Sequence, residues 1–120
     1  MNHNAALSRL QTGASTLAQN QIDLILSDGP FNPQKNQIPP VLTIGTTSNG
    51  TESNPSLAVY TDPKNGEVLV RGWMTTTVQN SSTTYNGQNL QLFRAIVTVS
   101  YRYRGQLYSV TMNTLRTADI

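Results

Sequence analysis

The last twenty-four residues, Val97 to Ile120, constrain this chain most, because they read as one tight β-hairpin whose two arms agree on which face is apolar. With Arg104-Gly105 as a two-residue turn, Tyr103 opposes Gln106, Tyr101 opposes Tyr108, Val99 opposes Val110 and Val97 opposes Met112, all on one face. The other face carries Arg102 with Leu107, Ser100 with Ser109, Thr98 with Thr111 and Ile96 with Asn113, a mostly wettable set. One face is expected to bury and the other to meet water.

At the opposite end, from about Asn4 to Ser27, Leu7, Leu10, Ala14, Leu17 and Leu24 recur at helical steps, with Ala18, Ile22 and Ile25 flanking the same stripe. Ser8, Gln11, Ser15, Gln19 and Asp23 make the reverse face polar, and Asp28-Gly29-Pro30 is read as an αL-tolerant stop followed by a residue that cannot continue a helix. At about 1.5 Å per residue this helix spans roughly 35 Å. Either its first turns project beyond the globule or it lies wholly on the sheet. A lone long helix followed by an antiparallel sheet with one apolar face suits assembly.

Between these ends the signals are weaker. Pro30 to Pro40 holds four prolines and reads as an extended crossing from helix to sheet. Val41 to Gly45 is expected as a short strand, and Thr46 to Pro55 as a mobile excursion without periodicity. Ser56 to Thr61 alternates into a strand, Asp62-Pro63-Lys64-Asn65-Gly66 forms a turn, and Glu67 to Gln79 follows as a long strand. Gly72 within it points to a bulge or a close approach of the helix backbone, which puts Trp73 at the sheet margin. Asn80 to Asn89 reads as a further polar loop. The expected fold is α+β, one long N-terminal helix packed on an antiparallel sheet of four to five strands. Its organisation is a single domain over residues 1–120: 5–28 for the helix, 29–55 for the connector, 56–120 for the sheet, with 1–4 read as a start codon and scar.

A chain of this length removes roughly two thirds of its unfolded surface from water and needs no staples. Only 12% of its residues are charged, while Thr, Asn, Ser and Gln total 47 of 120, so its surface is hydrogen-bonding and nearly uncharged. A net charge of +2 is too small to argue nucleic-acid binding by itself. Without cysteine there is no disulfide, thiolate nucleophile or sulfur ligand. The single histidine, His3, is read as part of a terminal scar or frayed end, so no imidazole base is expected in the fold and no histidine-containing triad is expected. The six carboxylates sit in ordinary places, with no acidic loop pattern for a cation, and the glycines are scattered through turns with no phosphate-cradling loop. The expectation is a non-enzymatic protein with no cofactor, no metal and no small-molecule substrate. No apolar run of about 18 residues occurs, so the chain as it stands reads as soluble.

Two stretches carry a resemblance. Ala14-Ser15-Thr16-Leu17-Ala18-Gln19-Asn20-Gln21-Ile22-Asp23-Leu24-Ile25 is similar to the second half of the long helix of type IV pilins and type II secretion pseudopilins, where minor members carry an A-x-x-L-A-Q stretch. Arg94-Ala95-Ile96-Val97-Thr98-Val99-Ser100-Tyr101 and Arg104-Gly105-Gln106-Leu107-Tyr108-Ser109-Val110-Thr111 resemble the closing hairpin of those minor subunits, with its S-V-x-x-x-T-x-R return. Together they cover roughly a third of the chain. The resemblance implies a helix laid on an antiparallel sheet and a structural subunit of a bacterial envelope filament, at the inner membrane and periplasm or in an extracellular filament. The membrane-spanning first half of that helix, its cleavage glycine and its early glutamate have no counterpart here, which fits a soluble head cut from a longer precursor. The missing disulfide loop favours a minor pilin or pseudopilin over a major pilin.

On this reading the partners are other pilin or pseudopilin subunits, and the inner membrane through a missing N-terminal helix. Leu7, Leu10 and Ala14 are expected as subunit contacts, on a stripe that outruns the sheet, together with Phe31 in the connector. An alternative is a DNA-binding minor pilin for DNA uptake, using Arg102 and Arg104 at the hairpin tip, where two cations interleave with tyrosines. A phage or adhesin β-module with an incidental helix is a third reading.

Overall fold

Residues His3–Ser27 form a single helix, α1, in a computed structural model that describes residues 3–119. Its buried side chains advance in steps of four, Ala6, Leu10, Ala14, Ala18 and Ile22, closing on Ile25. Each step of four residues overshoots a full turn by about 40°, so the buried stripe slants across the helix. Leu7 and Leu17 are left half-buried at its sides, and Leu24 is 46% exposed. The stripe centres on alanines, whose small side chains let the helix approach the sheet closely.

Seven strands follow: β1 (Gly45–Asn49), β2 (Leu57–Thr61), β3 (Val68–Asn80), β4 (Thr83–Tyr85), β5 (Gln88–Leu90), β6 (Leu92–Tyr103) and β7 (Gln106–Thr117). β7, β6 and β3 run side by side and antiparallel, and β1 and β2 lie end to end along the free edge of β3. This makes a five-stranded antiparallel sheet with one helix on one face, an α+β architecture. β4 and β5 form a separate two-stranded ribbon that extends the β3–β6 connection.

The closing hairpin has the register that its alternation predicts, from Tyr103 opposite Gln106 through Ile96 opposite Asn113 and on to Leu92 opposite Thr117. Arg104 and Gly105 both adopt positive φ, 52° and 78°, which two-residue hairpin turns of this kind demand. Phe93, Ala95, Val97, Val99 and Tyr101 of β6 all point at α1 and are almost fully buried. On the outer face, hydroxyls meet across strands: Thr46 with Thr77 at 3.0 Å, Thr98 with Thr111 at 3.1 Å and Ser100 with Ser109 at 3.0 Å.

Two glycines make room for one valine. The register of β2 against β3 shifts on both sides of Tyr60, and Val59 turns inward, 4% exposed. A Cβ on Gly13 of α1 would lie 2.0 Å from the Val59 carbonyl oxygen, and one on Gly72 of β3 would lie 2.8 Å from the Val59 Cγ2 and 2.4 Å from the Ser100 carbonyl oxygen. The irregularities thus skip Val59 in β2 and Leu69 in β3 and do not fall at Gly72, and the helix approaches β2 through Gly13. Trp73 is not at the sheet margin. It lies in a central strand opposite Ser100, where β1 ends and β2 begins.

Other expectations need correcting. Thr46 to Asn49, placed by sequence in a mobile excursion, belong to the edge strand Gly45–Asn49, whereas the expected strand from Val41 to Gly45 begins in a 3₁₀ turn, Pro40–Leu42. The expected loop at 80–89 contains the β4–β5 ribbon, whose Asn86-Gly87 turn has φ of 51° and 76°. Gly29 does not adopt a left-handed conformation, and the end of α1 is secured by a side chain from β7 instead. α1 lies on the sheet from Ala6 onward, so no projecting first turns occur among the side chains described.

Candidate functional site

The fold has two ends of different chemistry, in a molecule measuring 57 × 24 × 23 Å. At the C-terminal end of α1, Arg116 of β7 reaches under the helix and is 7% exposed. Its Nη1 donates to the carbonyl oxygens of Ile25 at 2.7 Å and Asp28 at 2.8 Å, which a helix terminus otherwise leaves unpaired. Its Nη2 donates to both carboxylate oxygens of Asp119, at 2.9 and 2.8 Å, and the guanidinium lies 5.5 Å from the centroid of the Phe31 ring. Asp119 also accepts the Phe31 backbone N–H at 3.0 Å. That backbone hydrogen bond first, and then those from Arg116, hold the Asp119 carboxyl below the ordinary carboxylate range. The Phe31 ring in turn meets Phe93 edge to face, with centroids 4.9 Å apart. The result is a clamp joining helix, connector, sheet and C-terminal tail.

At the N-terminal end of α1, the β2–β3 turn and the β6–β7 turn come together. Here a groove of about 280 Å³ is floored by Ala6, Leu10 and Val70, with Tyr60, Tyr103, Leu69, Arg9 and Arg104 along its walls. Arg9 Nη1 donates to the Tyr60 hydroxyl at 3.4 Å, and the Arg104 guanidinium sits 5.4 Å from the Tyr103 ring centroid. Behind it Tyr101 and Tyr108 stack at 5.6 Å, and burial together with the Tyr108 phenol raises the pKa of Tyr101.

The residues expected as subunit contacts separate on this framework. Leu10 (2% exposed), Ala14 (0%) and Phe31 (0%) are core residues, because the sheet reaches as far as the first turns of α1 and the connector folds back beneath its end. They cannot contact a second subunit while the fold is intact. Leu7 alone of the four keeps some exposure, beside Gln11 and Tyr108. The helix instead presents Leu24 and Leu26, each 46% exposed, and the sheet presents Leu69, Leu107 and Leu115. The slant of the stripe explains why sequence spacing picked other leucines.

Arg102 and Arg104 do not act as a pair either. Arg102 lies on the outer face, where its Nε donates to Glu52 Oε1 at 2.6 Å and the two charges form an ion pair. Arg104 lies on the groove side, over Tyr103. No protein-family model, curated protein or solved structure matches this chain. Among the described residues, no three His, Asp or Glu side chains gather as metal ligands would, and no helix is long and apolar enough to cross a membrane.

The clamp is the feature that sequence reasoning missed. Arg116 is the arginine that ends the S-V-x-x-x-T-x-R return, yet its alternation on β7 alone gives no sign that it seals a helix ninety residues away.

Proposed function

We propose that this chain is the head of a structural filament subunit of the minor pilin or pseudopilin kind, working at the bacterial cell envelope through assembly and not turnover. The observation that carries the reading is the way α1 is held. It lies along the sheet, keyed at Gly13 to β2 and sealed at its C-terminal end by Arg116, while its N-terminal turn arrives at one end of an elongated molecule. An apolar segment joined before Ala5 would continue the helix out of that end. The hydroxyl pairs of the outer sheet face and the exposed Leu24 and Leu26 then lie on the flanks, where neighbouring heads would meet.

The test is the native gene together with the full-length product. On this reading the bases before codon 5 encode an apolar segment of about 20 residues, and the full-length protein sediments with membranes. Cysteines placed at Leu24 and Leu26 then cross-link to a neighbouring subunit in sheared filaments. A reading frame with no such segment refutes the proposal.

A further inference from the structure

The N-terminal end of α1 carries the whole of the net charge. At this end Arg9, Lys64 and Arg104 stand around the groove and its two turns against Asp62 and Glu67, and Arg71 stands at the same level on the outer face of β3, four basic side chains to two acidic ones. Over the rest of the chain, four basic residues face four acidic ones, among them the paired Arg102 with Glu52 and Arg116 with Asp119. The molecule is therefore neutral along most of its length and +2 at one end. At that same end Leu69 is 52% exposed, and Tyr60 and Tyr103 set phenols beside the arginines.

We infer that this end docks on an anionic phospholipid surface. Arginines that stand beside tyrosines and an exposed leucine suit a headgroup layer, where the cation meets phosphate, the phenol sits at the polar boundary and the leucine reaches the acyl region. Nucleic acid fits less well. Tyr101 and Tyr108 stack on each other and Arg104 covers Tyr103, so these rings do not offer open faces to bases. The inference rests on the filament-subunit reading for its biological setting, since an apolar segment continuing α1 would bring a membrane to this end. Its chemistry stands on the charge distribution together with the exposed Leu69 and the phenols of Tyr60 and Tyr103.

The experiment uses the 120-residue chain with sedimenting vesicles, either phosphatidylcholine alone or phosphatidylcholine mixed with phosphatidylglycerol. Binding is expected to the mixed vesicles only and to weaken with added salt. The double variant Arg9→Gln, Arg104→Gln lowers partitioning about 30-fold, at about fivefold for each basic group near a charged leaflet. The double variant Lys35→Gln, Arg94→Gln makes the same charge change on exposed residues elsewhere and leaves partitioning within about twofold. Unchanged far-UV circular dichroism and melting temperature certify the fold of both. Equal binding to neutral vesicles, equal loss from the two double variants, or release of the chain from vesicles by DNA at matched phosphate concentration overturns the inference. Failure here leaves the subunit reading standing, and an upstream frame without an apolar segment leaves the lipid binding standing.

Discussion

Replacing Gly13 by alanine pits helix propensity against packing, and the structure decides between them. In an exposed helix interior the change stabilises by about 1 kcal/mol, because glycine carries the larger conformational entropy in the unfolded chain. At Gly13 the new Cβ would stand 2.0 Å from the Val59 carbonyl oxygen. Ordinary contact begins near 3.4 Å, so helix and β2 must separate by about 1 Å or more, and the obstructing atom is backbone. A gap of that size forfeits a quarter to a half of the dispersion contact along the opened seam, in the core that holds Leu10, Ala14, Ala18 and Val59. Overpacking of this type costs about 1–3 kcal/mol and more where backbone must move; we take about 3 kcal/mol against the 1 kcal/mol gained. The expected net loss is about 2 kcal/mol, a fall in melting temperature of roughly 6–10 °C for a domain of this size.

Urea and thermal unfolding followed by far-UV circular dichroism measure it, with Asn20→Ala on the exposed face of the same helix as the reference. That variant should gain a few tenths of a kcal/mol. Adding Val59→Ala to Gly13→Ala should bring no rescue, since the clash is with the carbonyl and not the side chain. A Gly13→Ala protein as stable as the parent would refute the close approach of helix and bulged strand.

Arg116→Met leaves the carbonyls of Ile25 and Asp28 unpaired at a buried helix end, and is expected to destabilise by about 3–4 kcal/mol in urea titrations. Arg116→Lys should recover less than half, because an ammonium cannot reach two carbonyls and a bidentate carboxylate at once; a loss under about 1 kcal/mol for Arg116→Met counts against the clamp. Because the folded pKa of Asp119 is lowered, its stabilisation is complete above the ordinary carboxylate pKa and disappears as pH falls through the lower folded value. Asp119→Asn should therefore flatten the acid limb of a stability-against-pH curve and leave its alkaline side parallel to that of the parent. Arg102→Ala, which removes a half-exposed ion pair, should change stability by no more than about 1 kcal/mol.

How much of this was legible in the sequence depends on where each element gets its instructions. The β6–β7 register could be read residue by residue, because the turn fixes the pairing and the alternation independently fixes the faces. The β4–β5 ribbon carries the same kind of turn at Asn86-Gly87, but its three-residue arms have no apolar alternation to make the turn audible. β1 has no apolar residue at all, and only the free edge of β3 makes Gly45–Asn49 extended. The helix was legible as a helix. Most of its buried face was legible too, since Leu10, Ala14, Ala18, Ile22 and Ile25 all belong to the stripe read from spacing, but the slant that leaves Leu7 and Leu17 at the sides and Leu24 exposed was not. Arg116 was beyond sequence reasoning, since its partners become neighbours only when helix end, connector and tail converge.

If the chain is the filament head proposed above, these same features bear on how it would work there. A pull along α1 has to pass into the sheet, and slanted alanine contacts resist sliding poorly by themselves. The fold adds two fixed points: Val59 seated between Gly13 and Gly72 midway along, and the Arg116 fork on the last carbonyls of the helix. The fork lies at the far end of the helix from the groove, whose arginines rest on tyrosines, while the Val59 seat adjoins that groove through Tyr60 and Leu10. On the proposed function, the groove end would change partners while the fork keeps its hold on the helix. A subunit that leaves a membrane and enters a filament needs this separation, because the surface that must change neighbours cannot also be the one that holds the helix in place.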